Sequence, residues 1–414
     1  MLRQAQRCRR ILKASIIDFY LPACVDAAHG GYLESLRDGR FAATGEKFLT
    51  HQARQLWFFS TLAQQNVERP GALAAARSGF EFLEKHFRDR ENGGYFSKVG
   101  DAGEVRDPRK HVYLNAFALY GLAAYSRATQ SPAALAAAQD LFRTLEARAH
   151  DGAHGGYVEF FYRDWTPITN PKEPAYVGAI GTKTYNTHLH VMEALAELYR
   201  VWPDPLVRAR LLETIAINVS TVRHPEHVCN LDGWTADWKL IETPANLRAS
   251  YGHDVECTWL TLDAARTAGM PPALFRSWAD GLCRSSIAHG YDRAHGGFYY
   301  AGPVGKPADD TRKEWWVQAE ALVSMLEMAR LTGRSEYYQR FCETLDFVER
   351  HQVAPEGGWW AARTADGSPL RSERSSPWQA AYHSGRAMLF SARLLEQLSD
   401  STHPEQSQKN PDRP

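Results

Sequence analysis

The sequence has 414 residues, 44 % of them apolar and 12 % aromatic, and its 48 lysines and arginines equal its 48 aspartates and glutamates. Such a chain has ample apolar material for a large core, and its zero net charge excludes the basic excess that marks a nucleic-acid-binding surface. Six cysteines, at 8, 24, 229, 257, 283 and 342, form no CxxC pair, so they read as reduced thiols of a cytoplasmic protein rather than a disulfide framework.

Residues 1–10 are basic, but the apolar run that follows is broken by Lys13 and Asp18. That pattern suits neither a signal peptide nor a membrane span. A helical pattern covers 4–27. One phrase then recurs: Gly30-Gly31-Tyr32, Gly93-Gly94-Tyr95, Gly155-Gly156-Tyr157, Gly296-Gly297-Phe298 and Gly357-Gly358-Trp359. The second glycines are 63, 62, 141 and 61 residues apart, and a degenerate copy, Asp232-Gly233-Trp234, sits inside the long interval. After each turn come two stretches with apolar residues at three- and four-residue steps. They are 49–65 and 72–87, 111–128 and 132–149, 185–201 and 205–222, 253–267 and 272–288, and 314–331 and 335–352. The sixth unit has only 377–398, and the N-terminal pattern supplies its partner.

Six helix-pair repeats whose first element complements the last predict an all-α fold. It is a single (α/α)6 barrel over residues 1–398, with short β pieces in the connecting loops. No Gly/Ser- or Pro-rich linker separates the units. The irregular stretch 160–184 is expected over one mouth of the ring, because loops of that length tend to be functional. Residues 399–414 are polar and proline-bearing, and are expected to be disordered.

Polar residues recur at the starts of the first helix of each pair. Asn186 and His190 lie four apart, on one face of a helix whose other residues are apolar. From the second glycine of its unit, Arg54 stands 23 residues on, as do Glu256 and Glu320, while His383 stands 25 and His190, behind the long loop, 34. Equivalent positions in a ring of helices share one depth, so Arg54, His190, His253, Glu256, Glu320 and His383 are expected to ring a cavity. Tyr113, Trp315, Trp316 and Trp378, at offsets of 19, 18, 19 and 20, fall about one turn nearer the mouth. Acid/base groups beneath aromatic walls suit a sugar, whose C–H faces stack on indole and whose hydroxyls need donors and acceptors.

A lone buried histidine is more often a satisfied core residue than a catalyst. Three at matched positions, with arginine and glutamate, reverse that preference. His188 reads as structural, and His29, His154 and His295, ahead of the double glycines, read as turn residues. His188 and His190 are two apart and diverge on a helix, so no metal site is expected. The double glycines recur in every unit, which marks them as architecture rather than a phosphate loop.

These motifs together resemble the N-acylglucosamine 2-epimerase superfamily, and within it the cellobiose 2-epimerases and their mannose-acting relatives. The carrying segments are His51-Gln-Ala-Arg54-Gln-Leu-Trp57, Asn186-Thr-His-Leu-His190, Gly252-His253-Asp-Val-Glu256, Lys313-Glu-Trp-Trp-Val-Gln-Ala-Glu320 and 378–386. The resemblance implies an (α/α)6 barrel, no cofactor, and a reaction on a reducing sugar. It implies that His253 and His383 are the acid/base pair. Arg54, Asn186, His190 and Glu256 would bind and polarise the O1 to O3 end, and Trp316 and Trp378 would stack on the sugar. The chain is expected to act as a monomer or homodimer on a small-molecule sugar, with no nucleic-acid or membrane partner.

The C2 proton of an open-chain aldose is too weakly acidic for water to remove, so a base within hydrogen-bond reach and a stabiliser of the enediolate are required. Histidine accepts or donates near neutrality, and two histidines can address the two faces of C2. Glu256, three residues after His253, is expected to orient that imidazole. An aldose–ketose isomerase differs only in returning the proton to C1. An inverting glycoside hydrolase would instead need a separated carboxylate pair, for which Glu256 and Glu320 are the candidates, and would leave three histidines unexplained. A sugar-binding protein needs no acid/base pair at all.

Overall fold

The computed structural model describes residues 1–402. Twelve long helices lie among them: α1 (Leu2–Ile11), α2 (Leu49–Gln64), α3 (Arg69–Phe82), α4 (Val112–Thr129), α5 (Pro132–Arg148), α6 (Tyr185–Val201), α7 (Pro205–Ala216), α8 (Tyr251–Thr267), α9 (Arg276–Gly290), α10 (Trp315–Thr332), α11 (Ser335–Phe347) and α12 (Tyr382–Thr402). No helix among the described residues is long and apolar enough to cross a membrane. All six cysteines are free, and five are buried.

The even-numbered helices form an inner set. Every residue of α2 except Gln64 is buried, and a helix with no exposed face belongs inside a protein. Each inner helix packs on the next, α2 on α4 through to α10 on α12, and α12 also packs on α2. The odd-numbered helices are amphipathic. Helix α5 buries Ala134, Ala137, Ala138, Leu141, Phe142 and Leu145, the stripe of a helix lying on a core. It covers α4, and α3, α7, α9 and α11 cover α2, α6, α8 and α10. Helix α1 lies on α12, so the first helix of the chain partners the last.

Helix limits follow local chemistry. Ser131 and Asp204 cap α5 and α7, each followed by a proline at the first helical position, where its missing N–H costs nothing. The N-terminal helical path runs on from α1 only to Tyr20, short of the expected 27, because Pro22 cannot continue it. Helix α12 begins at Tyr382 and not at 377. Ser376 and Gln379 close a turn ahead of it, which leaves Trp378 in a loop. At its far end α12 reaches Thr402, four residues into the segment expected to be disordered. Residues 403–414 lie outside the described part.

Short strands join the units. Lys47–Phe48 pairs antiparallel with Lys98–Val99, Lys110–His111 with Phe160–Phe161, Lys183–Thr184 with Gly233–Trp234, and Lys313–Glu314 with Ala362–Arg363. The lysine that opens each of these pairs is a buried clasp. Lys47 donates to Asp26 and the Gly30 carbonyl, Lys110 to Asp89 and Gly93, Lys183 to Asp151 and Gly155, and Lys313 to Asp292 and Gly296. Removing one partner of such a buried pair costs about 3–5 kcal/mol. A second clasp is set from the inner helix. The N–H of Tyr32 donates to Gln52, that of Tyr95 to Asn115, that of Tyr157 to His188 and that of Phe298 to Gln318. His188 is thus structural, as its place on the helix predicts. Gly156 in this turn has φ +71°, and a Cβ there would lie 2.6 Å from His188 Nε2. Only glycine lets the turn approach that closely.

Candidate active site

The first turns of the inner helices hold the candidate residues in two tiers. Tyr113, Asn186, Trp316 and His383 are each the second residue of their helix, and His253 is the third. Arg54, His190, Glu256 and Glu320 are each the sixth. Counting from the glycine turns puts His383 in the deeper tier. Helix α12 starts late, so His383 lies in its first turn, yet its Nδ1 reaches Glu320 of the deeper tier, where Arg386 meets the same carboxylate.

At the mouth, Trp316 contacts two histidines. Its ring is 4.7 Å from that of His253 and 6.0 Å from that of His383. Trp315 stands edge-on to His383 at 6.4 Å, and its buried indole N–H has no partner. Gly252 permits this packing, since a Cβ there would sit 2.6 Å from the Trp316 ring. The Tyr185 hydroxyl donates to the His253 carbonyl at 3.0 Å. On the opposite wall Trp378 meets Phe48 edge-on at 4.9 Å and faces Tyr113 at 6.3 Å. The 160–184 loop reaches this rim through Tyr176, whose ring lies 5.1 Å from Phe48 and whose hydroxyl donates to Asp107.

The deeper tier is a charged network. Arg54 donates to the Trp378 carbonyl at 3.0 Å and to the Tyr113 hydroxyl at 2.8 Å, with Phe117 beneath its guanidinium. His190 Nδ1 lies 2.9 Å from Glu193 and His383 Nδ1 lies 2.6 Å from Glu320. Arg386, fully buried, donates to Glu193, to Glu256 at 3.0 Å and to Glu320 at 2.8 Å. The Tyr382 hydroxyl donates to Glu193, and the Trp259 indole to Glu320.

Two expected roles change. Glu256 accepts from Arg386 at 3.0 Å, and no hydrogen bond joins it to His253 among the described residues. Glu320, expected to touch sugar, has its oxygens engaged by His383, Arg386 and Trp259, so it serves His383. Besides the Trp315 indole N–H and Arg54 Nε, two acceptors of the site remain buried and unpartnered, Glu256 Oε2 and Asn186 Oδ1. Buried polar groups are nearly always paired, and these two are free to meet a ligand.

Burial sets the protonation states. It pushes His253 down to about 3 and lowers His190 and, well below the usual range, His383. The cationic Arg54 adds to the shift at the last two. All three imidazoles are therefore neutral near pH 7. Burial and the neighbouring Glu320 raise Glu256. Burial would also raise Glu193, but Arg386 and the His190 hydrogen bond hold it at about 2. Atoms of Glu256, Glu320 and His383 lie within 4.8 Å of one another, a spacing that could hold a cation. A guanidinium already serves that place, since one Arg386 nitrogen bridges both carboxylates.

The model for N-acylglucosamine 2-epimerase (GlcNAc 2-epimerase) matches residues 30–387. The chain belongs to that family. It is an enzyme of the family, and the match spans every residue named in the two tiers. It is 29 % identical to a cellobiose 2-epimerase of Bacteroides fragilis over 390 residues, covering 92 % of this chain and 96 % of that protein. It is 25 % identical to a D-mannose isomerase of Thermobifida fusca over 321 residues, covering 71 % and 76 %. The solved cellobiose 2-epimerase of Bacillus thermoamylovorans superposes with a TM-score of 0.87 at 29 % identity, covering 95 % of this chain and all of that one.

Within this family member, sequence reasoning missed Glu193, Tyr382 and Arg386. Glu193 had a signal, since it stands three residues after His190 on the same helical face. Arg386 had none, because an arginine four residues after a tyrosine on a helix ordinarily reads as a solvated side chain.

Proposed function

We propose that this enzyme is a cofactor-independent sugar 2-epimerase that interconverts glucose- and mannose-configured reducing sugars. Free mannose or a β-1,4-disaccharide such as cellobiose is the substrate. The fold that goes with this reading is a closed (α/α)6 barrel forming one catalytic domain. The observation that carries the reading is that two neutral imidazoles, His253 and His383 from different helices, both lie against the Trp316 indole. A planar enediolate held between the two imidazoles, with Trp316 at its edge, would present one face of C2 to each histidine. One removes the C2 proton and the other returns a proton to the opposite face.

The remaining roles follow from what each group can do. Arg54 is a fixed cation for the developing oxyanion. His190 beside it serves O1 and helps open the pyranose ring. Asn186 and Glu256 use their free oxygens on substrate hydroxyls, and Tyr113, Trp315 and Trp378 complete the walls.

A second reading, aldose–ketose isomerase acting on mannose, is favoured by the D-mannose isomerase relatives. It uses the same intermediate and returns the proton to C1. A glycoside hydrolase is less well supported. Glu256 and Glu320 share one Arg386 nitrogen and lie within 4.8 Å, whereas an inverting pair stands about 6.5–9.5 Å apart.

Proton NMR of mannose, glucose and cellobiose incubated with the enzyme in D2O tests the proposal. The expected product is the C2 epimer carrying deuterium at C2. Fructose formed first from mannose would move the enzyme to the isomerase class, and a shorter sugar released from cellobiose would sink both readings.

A further inference from the structure

Arg386 touches neither mouth residue that carries the proposed proton transfer, yet it is the most heavily bonded side chain in the site. It is 0 % exposed. Its two terminal nitrogens reach three carboxylates, from α6, α8 and α10. Two of those carboxylates each hold a histidine by Nδ1: Glu193 holds His190 at 2.9 Å, and Glu320 holds His383 at 2.6 Å. Arginine has donors only. So do the Trp259 indole and, toward Glu193, the Tyr382 hydroxyl, which itself accepts from Arg386. Every other partner of these two carboxylates gives them a hydrogen.

We infer that Arg386 is a positioning residue that ties His190 to His383 through Glu193 and Glu320 and fixes both imidazoles in the Nδ1–H tautomer. The chain runs His190, Glu193, Arg386, Glu320, His383. At Glu193 the Arg386 charge outweighs burial and keeps the carboxylate ionised; at Glu320 burial raises the carboxyl, and Arg386 and the Trp259 indole oppose that rise and fill its oxygens with donated hydrogens, so at both sites Nδ1 is the donor. The lone pair of each neutral ring is then left on Nε2. Orienting a histidine through its second nitrogen is how a protein fixes which nitrogen reacts. Here one guanidinium does so for two histidines on different helices, which also holds α6, α10 and α12 in register. The charged and titratable groups facing His190 are Arg54, Tyr113, Glu193, His253, His383 and Arg386; those facing His383 are Arg54, His190, Glu193, Glu320, Tyr382 and Arg386.

The role in turnover rests on the epimerase or isomerase reading, whereas the tautomers can be read without any sugar. Nitrogen-15 NMR of histidine-labelled full-length enzyme at about pH 7 reports which ring nitrogen is protonated, and His190→Asn and His383→Asn spectra assign the two rings. Both are expected as Nδ1–H. In Glu193→Gln the His190 ring loses that preference, and the acid limb of the kcat/KM profile moves to lower pH because Glu193 raises the His190 pKa. Turnover falls roughly 10- to 100-fold with KM changed less than about twofold. Arg386→Lys keeps the charge but not the fork, and both rings lose the tautomer. If that variant does not fold, Glu193→Gln alone decides. Nε2–H rings in the wild type, or a Glu193→Gln enzyme with wild-type tautomer and acid limb, would overturn the inference. Nδ1–H rings in an enzyme that exchanges no sugar proton would sink the functional reading and leave the positioning role standing.

Discussion

The Arg54 guanidinium donates to the Trp378 carbonyl at 3.0 Å, across 324 residues of sequence. Its other nitrogen holds the Tyr113 hydroxyl. The site is therefore finished only when the last unit has docked on the first. The late start of α12 is what makes this contact available, because a helical Trp378 would spend its carbonyl within the helix.

The first expectation concerns the mouth histidines. His253→Asn and His383→Asn should each lower kcat by about 10²- to 10⁴-fold, the usual worth of a positioned acid or base, with melting temperature and circular dichroism close to wild type. Near-normal turnover in both variants would remove the acid/base assignment.

Arg54→Lys tests the fixed cation. A lysine keeps charge but cannot serve the Trp378 carbonyl and Tyr113 hydroxyl together. Loss of one oxyanion donor elsewhere costs about 10²- to 10³-fold in kcat, and steady-state kinetics should show a loss of that order. A change confined to KM would place Arg54 in ground-state binding instead.

Gly252→Ala probes the packing of Trp316 without touching a polar group. The added Cβ would meet the Trp316 ring and Val317 at 2.6 Å. Overpacking of this kind costs about 1–3 kcal/mol, and here it displaces the indole that contacts the two histidines. Sugar KM should rise and kcat should fall while the enzyme stays folded. Wild-type kinetics would show that Trp316 can move without consequence.

Acid stability follows from three buried structural imidazoles. Burial pushes His51 and His111 down to about 3 and His188 to about 4, whereas an unfolded histidine titrates near 6.5. Below that pH the unfolded chain binds protons that the folded chain does not. Stability is thus full above about 6.5 and falls as the pH drops toward 4, by up to about 1.4 kcal/mol per pH unit for each group. His188→Gln places at this site the residue that makes the same bond at Gln52 and Gln318. It should fold, and urea unfolding at about pH 7 and pH 5 should show a shallower loss. An unchanged pH slope would contradict the neutral, buried state of His188.

The repeat explains what could be read in the sequence. Arg54, Glu256 and Glu320 were legible because each stands 23 residues after its second glycine, and each proves to be the sixth residue of its helix. The clasp residues Gln52, Asn115 and Gln318 obey a spacing of 21, a signal as regular as the first. His383 stands two places later in the count, at 25, because its helix starts late. Arg386 was invisible for a different reason: its meaning lies in carboxylates on three other helices, and no local pattern announces a partner that distant.

The inner helices all point the same way. Their first turns surround the histidines, while residues of their last turns, among them Arg127, Arg200, Arg266 and Arg330, line a cavity of about 710 Å³ at the other end. Each helix carries roughly half a positive charge at its start and half a negative charge at its finish. Six of them side by side make an electrical axle with its positive pole at the site. The arginines sit where the negative pole would otherwise be bare, and Glu197, Asp263 and Glu327 pair with them there. Any anion that forms among His253, His383 and Arg54 is thus favoured by the backbone itself, a contribution that no side-chain substitution at the site would remove.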